Sequence, residues 1–226
     1  ILANNSLRVE FLTENLKINM NILESVISNK NIKVINLGSS CIYPLNAENP
    51  IKEDYFMSGK LEPTNSPYAL AKITAIELGD SITTQYGNKI VNLMPTNLYG
   101  PGDNFSETSS HVIPGLLRRM HKAKLNNEDK FEIWGTGKPL REFLFAQDLA
   151  DCIEFIMDKE IDQSLINVGS GDEVSILQLA NMIKNIVDFN GDLSFDSSKP
   201  DGNRRKLLDS SKINDLGWKS KTELED

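Results

Sequence analysis

Residues 34–44 read VINLGSSCIYP, and this stretch decides the fold. The apolar, β-branched pair Val34-Ile35 runs through Asn36 and Leu37 to Gly38, then to Ser39, Ser40 and Cys41. A run this short and this apolar is expected of a parallel strand buried on both faces. Open α/β sheets hold their ligands at the carboxyl ends of the strands. Small hydroxyl and thiol groups just past Gly38 therefore stand where chemistry takes place. Taken alone, the same residues read equally well as a turn of small side chains. What separates the two readings lies downstream, in Tyr68-Ala-Leu-Ala-Lys72.

Tyr68 and Lys72 are i and i+4. Ser66 is placed to cap a helix and Pro67 suits its first turn, so both side chains are expected on one helical face, about 5–6 Å apart at Cβ. A free tyrosine titrates near pH 10 and is a poor acid–base group at neutral pH. A neighbouring ammonium favours the phenolate and is expected to lower that value. A YxxxK pair alone is a weak signal, because helices carry such pairs by chance. With a strand-end serine upstream it becomes a serine–tyrosine–lysine set, and here the chain resembles the extended short-chain dehydrogenase/reductases.

Around that pair the chain alternates helix and strand. Val9, Leu12, Leu16, Met20, Leu23 and Ile27 recur at spacings of three and four, as in an amphipathic helix. After the strand at Val34 comes a polar loop over 45–65, then the Tyr68 helix, ended near Gln85 by Gly87-Asn88. Residues 90–94 form a second strand, stopped by the segment 95–102. This rhythm predicts an α/β fold with a doubly wound, parallel, Rossmann-like sheet.

Beyond Gly102 a polar loop leads to His111, and Pro114 opens a helix carrying Arg118, Arg119 and His121. His121, among those arginines and Lys122, reads as solvent-exposed. Residues 131–134 and 141–145 read as strands around a turn at 135–139. The next helix buries Leu149, Cys152, Ile153, Ile156 and Met157, with Cys152 as core filler. Leu165–Val168 returns to the sheet, and Ser175 with Gln178 forms a capping box stapled by Val174 and Leu179. The predicted organisation is a partial dinucleotide-binding domain, 1–100 with 142–170, and a smaller α/β substrate-binding lobe, 101–141 and 171–226.

With 226 residues, 39% of them hydrophobic and 25% charged, the chain is large enough for a domain and a lobe. No apolar run reaches the roughly 18–20 residues that span a bilayer, and no signal peptide is visible. A net charge of −8 argues against a nucleic-acid partner, since phosphate contacts dominate that affinity. Cys41 and Cys152 are too few for a disulfide framework or a zinc cage, no metal site is read, and a reduced, cytoplasmic enzyme is expected. Lys199, Arg204, Arg205 and Lys206 gather in one loop, a candidate grip for a diphosphate or else a solvated surface.

A dinucleotide fold opens on a strand, a glycine-rich turn and a helix whose amides hold the pyrophosphate. The pairs Gly100/Gly102, Gly135/Gly137 and Gly169/Gly171 all lack the third glycine of that turn. The expectation is an N-terminally truncated enzyme that, by itself, holds a dinucleotide weakly and is inactive as a reductase.

Longer motifs narrow the resemblance to the GDP-L-fucose synthases, epimerases and reductases in one chain. They are LGSSCIYP at 37–44, PTNSPY at 63–68, PTNLYGP at 95–101, SHVIP at 110–114, WGTGKPLREF at 134–143 and KPDG at 199–202, with the opening Ala3-Asn4-Asn5. The resemblance implies NADPH-dependent 3,5-epimerisation and 4-reduction of GDP-4-keto-6-deoxy-D-mannose to GDP-L-fucose, by an enzyme that is a homodimer when complete. It implies Cys41 as base and His111 as acid in the epimerisation, and Ser39, Tyr68 and Lys72 as the reductase set. It puts Leu37, Gly38, Ser39, Ser40, Lys72, Pro95, Thr96, Asn97, Leu98 and His111 at the cofactor. The GDP-sugar falls to Arg119, Trp134, Arg141 and Asp201, although Trp134 without its motif would read as a core aromatic.

The chemistry suits these residue types. In a 4-ketohexose, C3 and C5 both flank the carbonyl, so their protons leave through an enolate. Inverting each centre needs a base on one face and a proton donor on the other. Thiols and imidazoles, ordinarily titrating near pH 8.5 and 6.5, need only modest tuning for this. Two segments depart from the family pattern. Phe145-Ala146-Gln147 stands where a histidine and acidic residues are usual, and Asn203-Arg204 stands where Thr-Pro is usual. Two other readings compete: another sugar-nucleotide epimerase or reductase of the superfamily, or a non-catalytic chain that binds a sugar nucleotide. The Ser39-Ser40-Cys41 run argues against a dehydratase, which would place acidic groups there.

Overall fold

Helices and strands alternate over most of the chain: α1 (Arg8–Ser25), β1 (Lys33–Leu37), α2 (Ser66–Tyr86), β2 (Lys89–Pro95), β3 (Asn97–Tyr99), α3 (Val112–Leu125), β4 (Lys130–Trp134), β5 (Leu140–Phe145), α4 (Ala146–Met157), β6 (Leu165–Val168), β7 (Glu173–Ser175), α5 (Ile176–Ile186), β8 (Asp192–Asp196) and α6 (Ser211–Asp215). This computed structural model describes residues 6–107, 109–199 and 201–226, so Ala3-Asn4-Asn5 and Pro200 of the motifs lie outside the described residues.

β1, β2 and β6 form a parallel sheet in that order, with Val34 opposite Ile90 and Leu93 opposite Ile166. β2 lies between two neighbours and is buried along almost its whole length, as its apolar run requires. β1 departs from expectation. It is half-buried, and Leu37 is 39% exposed, because among the described strands only β2 pairs with it.

α1 and α2 pack together through Leu23, Ala75 and Ile82, against Ile90 of β2. The apolar stripe of α1 is rotated from the one expected: Leu12 and Leu16 are half-buried and Leu23 is buried, but Val9 and Met20 are exposed. Asn19 takes a buried place instead and donates to the Ala71 carbonyl at 3.4 Å. The buried Ala71 and Ala75 leave room for that approach. Ser66 is the first helical residue of α2 and not its cap, and the preceding Asn65 makes no side-chain cap bond. Gly87, at φ 76°, ends the helix in the left-handed conformation that glycine favours.

A second sheet runs β3-β5-β7, parallel at β3–β5 and antiparallel at β5–β7, and β4 pairs in parallel with β8. α3 begins at Val112, so Pro114 sits within its first turn. In α4, Leu149, Cys152 and Ile156 are buried as the spacing predicts, whereas Met157 at its end is exposed. Lys33 donates to the Ile156 and Lys159 carbonyls there, completing acceptors that the helix leaves open. Ser175 and Gln178 form the predicted capping box of α5.

Glu142 ties these parts together. Fully buried, it accepts from the backbone N–H of Gly171 at 2.9 Å and of Leu208 at 3.1 Å. Its own carbonyl accepts from Asn97 Nδ2 at 2.9 Å. Burial pushes its carboxyl pKa up. A Cβ on Gly169 would meet Glu142 Oε1 at 2.2 Å, so the turn after β6 needs glycine at that point.

Candidate active site

β1 ends at Gly38, whose N–H donates to the Leu93 carbonyl at 2.8 Å. A Cβ there would meet Met94 Cε at 2.1 Å, so a larger residue would require the Met94 side chain to move. The next residues turn tightly over Ser40–Ile42, and Ser39 Oγ accepts from the Cys41 N–H at 3.3 Å. Ser40 points inward and is buried, while Ser39 and Cys41 are half-buried.

Tyr68 and Lys72 share a face of α2, with Lys72 Nζ 5.7 Å from the tyrosine ring centroid. Phe11 of α1 meets the ring edge-on at a centroid distance of 6.2 Å. The ammonium of Lys72 donates to the Leu37 carbonyl at 2.8 Å and so links α2 to the end of β1. Burial pushes Tyr68 up to about 12, and the nearby Cys41 charge acts in the same direction. This corrects the expected lowering by Lys72: desolvation of the phenol outweighs an ammonium engaged by a carbonyl. Burial likewise pushes the Lys72 ammonium down.

Ser39, Tyr68 and His111 line one cleft of about 840 Å³. Gly38, Pro95, Thr96, Asn97 and Leu98 form part of its wall. Of the other residues expected at the cofactor, Leu37 is exposed at the sheet edge, Ser40 is buried, and Lys72 faces the Leu37 carbonyl. His111 precedes the first turn of α3 and is exposed. Cys41 borders a different, small cavity, shared with Glu62, Asn65, Asn203, Arg205 and Lys206. The serine, the tyrosine and the histidine are thus brought to one cleft, and the cysteine stands two residues from Ser39 on the neighbouring one.

The residues expected at the GDP-sugar are spread more widely. The Arg119 guanidinium lies 4.9 Å from the Phe131 ring centroid and 5.5 Å from that of Trp134, and it donates to the Glu132 carbonyl at 2.6 Å. Trp134 is 63% exposed and is no core aromatic. Arg141 borders a second cleft of about 620 Å³, walled in part by residues 219–225. Asp201 accepts from Thr136 N–H at 2.6 Å and Thr136 Oγ1 at 2.8 Å, fastening its loop to the 135–137 turn. The four cations form no common grip: Arg205 pairs with Glu173 at 2.7 Å, and Lys206 turns to Cys41's cavity.

His121 is exposed, and Cys152 is buried with its thiol pushed up to about 12. In the departing segments, Phe145 packs against Tyr99 at 5.5 Å. Buried Asp148 accepts from the N–H groups of Lys221 and Thr222. Sequence reasoning missed Phe11, Glu142 and Lys206. Only Lys206 gave a signal, as a member of the basic cluster, and nothing in that cluster pointed to Cys41.

A family model described as "NAD dependent epimerase/dehydratase family" matches residues 1–169. The GDP-L-fucose synthase of Sinorhizobium fredii is 45% identical over 100% of this chain and 72% of its own length. The GDP-L-fucose synthase 1 of Arabidopsis thaliana is 47% identical over 99% of this chain and 69% of its own. Among solved structures, a GDP-L-fucose synthetase from Naegleria fowleri bound to NADP superposes with a TM-score of 0.89 at 33% identity, over 97% of this chain and 70% of that one. The parallel sheet, the serine at its strand end and the tyrosine–lysine face of α2 agree with these likenesses: the chain belongs to the NAD dependent epimerase/dehydratase family, and within it to the GDP-L-fucose synthases.

Proposed function

We propose that the chain is an NADPH-dependent GDP-L-fucose synthase, catalysing 3,5-epimerisation and 4-reduction of GDP-4-keto-6-deoxy-D-mannose. The observation that carries this is the meeting of Ser39, Tyr68 and His111 on one cleft, with Cys41 one turn away. A cleft of about 840 Å³ is within the range of small-molecule sites. Its wall at Gly38 and 95–98 and the adjoining Tyr68–Lys72 face fit a nicotinamide riboside, and Ser39, Tyr68 and Lys72 would hold that end. When bound, NADPH supplies hydride to C4 of the sugar.

Tyr68 donates its phenolic proton to the oxygen on C4, and Ser39 orients that oxygen. A phenol pushed up to about 12 stays protonated through the neutral range, as a donor must. Lys72 stabilises the phenolate left behind. In the epimerisation, Cys41 Sγ takes the proton from C3 or C5: the C–H bond breaks, an S–H bond forms, and the electron pair moves to the C4 oxygen as an enolate. His111 returns a proton to the opposite face of the carbon. Arg119, Trp134, Arg141 and Asp201 are assigned to the GDP-sugar.

The domain division 1–100 with 142–170, against 101–141 with 171–226, is kept as a proposal. The pairing of β6 with β2 supports it, while β5 pairs with strands on both sides of the division. A homodimer is also proposed, because Leu7, Ile18 and Ile22 leave an exposed apolar flank on α1. Sedimentation giving a monomer at micromolar concentration would overturn that assignment. No helix among the described residues is long and apolar enough to cross a membrane. Two free cysteines support a cytoplasmic location.

Product formation in D2O, by the protein completed with the glycine-rich first half expected from its sequence, tests the function. GDP-L-fucose carrying deuterium at C3 and C5 is the expected product. A 4-reduced sugar that keeps the manno configuration and no deuterium would overturn the epimerase half.

A further inference from the structure

Cys41 and Lys206 border the same small cavity, and the other charged groups on its wall are already engaged. Arg205 donates from Nε to both carboxylate oxygens of Glu173, each at 2.9 Å. Glu62 accepts from Thr64 Oγ1 at 2.5 Å and from the N–H groups of Thr64 and Asn65. Lys206 forms no hydrogen bond or ion pair with any described residue. Lys206 is half-buried, and an ammonium partly withdrawn from water without a partner is costly, so its nearest acidic neighbours matter to it. Burial pushes the Lys206 ammonium down, the Cys41 charge and Glu62 oppose this, and Arg141 adds to it. Burial pushes the Cys41 thiol up, and Lys206 is the largest opposing influence, ahead of the Ser39 hydroxyl and Lys72. From α2, Tyr68 also feels the charge of Cys41.

We propose that Lys206 is a positioning residue whose ammonium, across the shared cavity, offsets the cost of burying the Cys41 thiolate that the epimerisation needs. The inference rests on the reading of Cys41 as the base. The Cys41 S–H proton leaves to solvent, and Lys206 stays protonated and balances the sulfur charge across the cavity. After the thiolate has taken a proton from C3 or C5, the same pairing favours its release to water, resetting the base. Lys72 also acts on Cys41, but less than Lys206 does, and its ammonium is engaged by the Leu37 carbonyl.

The test is the pH dependence of Cys41 alkylation by iodoacetamide, read by peptide mass, with buried Cys152 as the internal check on folding. Lys206→Met is expected to raise the alkylation midpoint by about one pH unit, which is about tenfold slower reaction at neutral pH. Lys206→Arg should stay within about threefold of the wild type, because it keeps the charge. The exchange of C3 and C5 protons in Lys206→Met should move to higher pH in parallel. An unmoved midpoint in Lys206→Met overturns the proposal. So does an arginine variant as slow as methionine while Cys152 stays protected, and this second comparison decides if methionine opens the fold. If Cys41→Ser keeps normal C3 and C5 exchange, the base reading fails, whatever the thiol titration gives. If exchange is lost there but the midpoint does not move in Lys206→Met, only the role of Lys206 fails.

Discussion

Tyr68 illustrates what spacing conveys and what it leaves out. Its i, i+4 relation to Lys72 was legible because a helix has one geometry, and the two side chains do share a face. The effect on its proton was not legible, because it depends on Phe11, on burial and on the Leu37 carbonyl that occupies the ammonium. Burial wins, and the phenol is pushed up to about 12. The difference in phenolate absorbance between wild type and Tyr68→Phe should therefore show no ionisation of this residue below about pH 10, its ordinary value. A midpoint between pH 6 and 9 would mean that Lys72 dominates after all. Asp201 and Arg119 give the same lesson: motif membership named them, but the backbone and aromatic partners that hold them came from distant segments.

Among the elements, β1, α2 and β2 were legible because an apolar run, a proline in the first turn and a left-handed glycine each have a local meaning. The packed face of α1 was misread because apolar residues occur on several sides of that helix and Asn19 replaces one in the contact with α2. Glu142 was not legible at all. A glutamate in a strand suggests a solvent face, and its partners at Gly171 and Leu208 are remote in sequence. Glu142→Gln would set an amide donor against one of those N–H groups, and a loss of about 1–3 kcal/mol in urea unfolding is expected. Because the folded carboxyl is raised, its contribution is full below the unfolded value near pH 4.3 and fades as pH rises through the folded one. The stability gap between wild type and variant should thus narrow from acidic to neutral pH. A gap that widens would show that the ionised form is the one the site prefers.

In the whole molecule, β1, β2 and β6 carry the strand-end serine and the wall at 95–98, and the chain after Gly102 returns His111 to the same cleft. That return joins two chemistries. Cys41 and His111 are assigned to C3 and C5, and Tyr68 with Ser39 and Lys72 to C4. If the assignment is right, the two halves separate by mutation, because exchange at carbon needs the thiol and imidazole but no proton from the phenol. The most direct measurement follows Tyr68→Phe, in the protein completed with the glycine-rich first half expected from its sequence, with GDP-4-keto-6-deoxy-D-mannose and NADPH in D2O, recording NADPH oxidation and deuterium at C3 and C5 together. Oxidation should fall by about a hundredfold or more while deuterium incorporation continues. Undiminished oxidation, or exchange lost together with oxidation, would contradict the division of labour between Tyr68 and the Cys41–His111 pair.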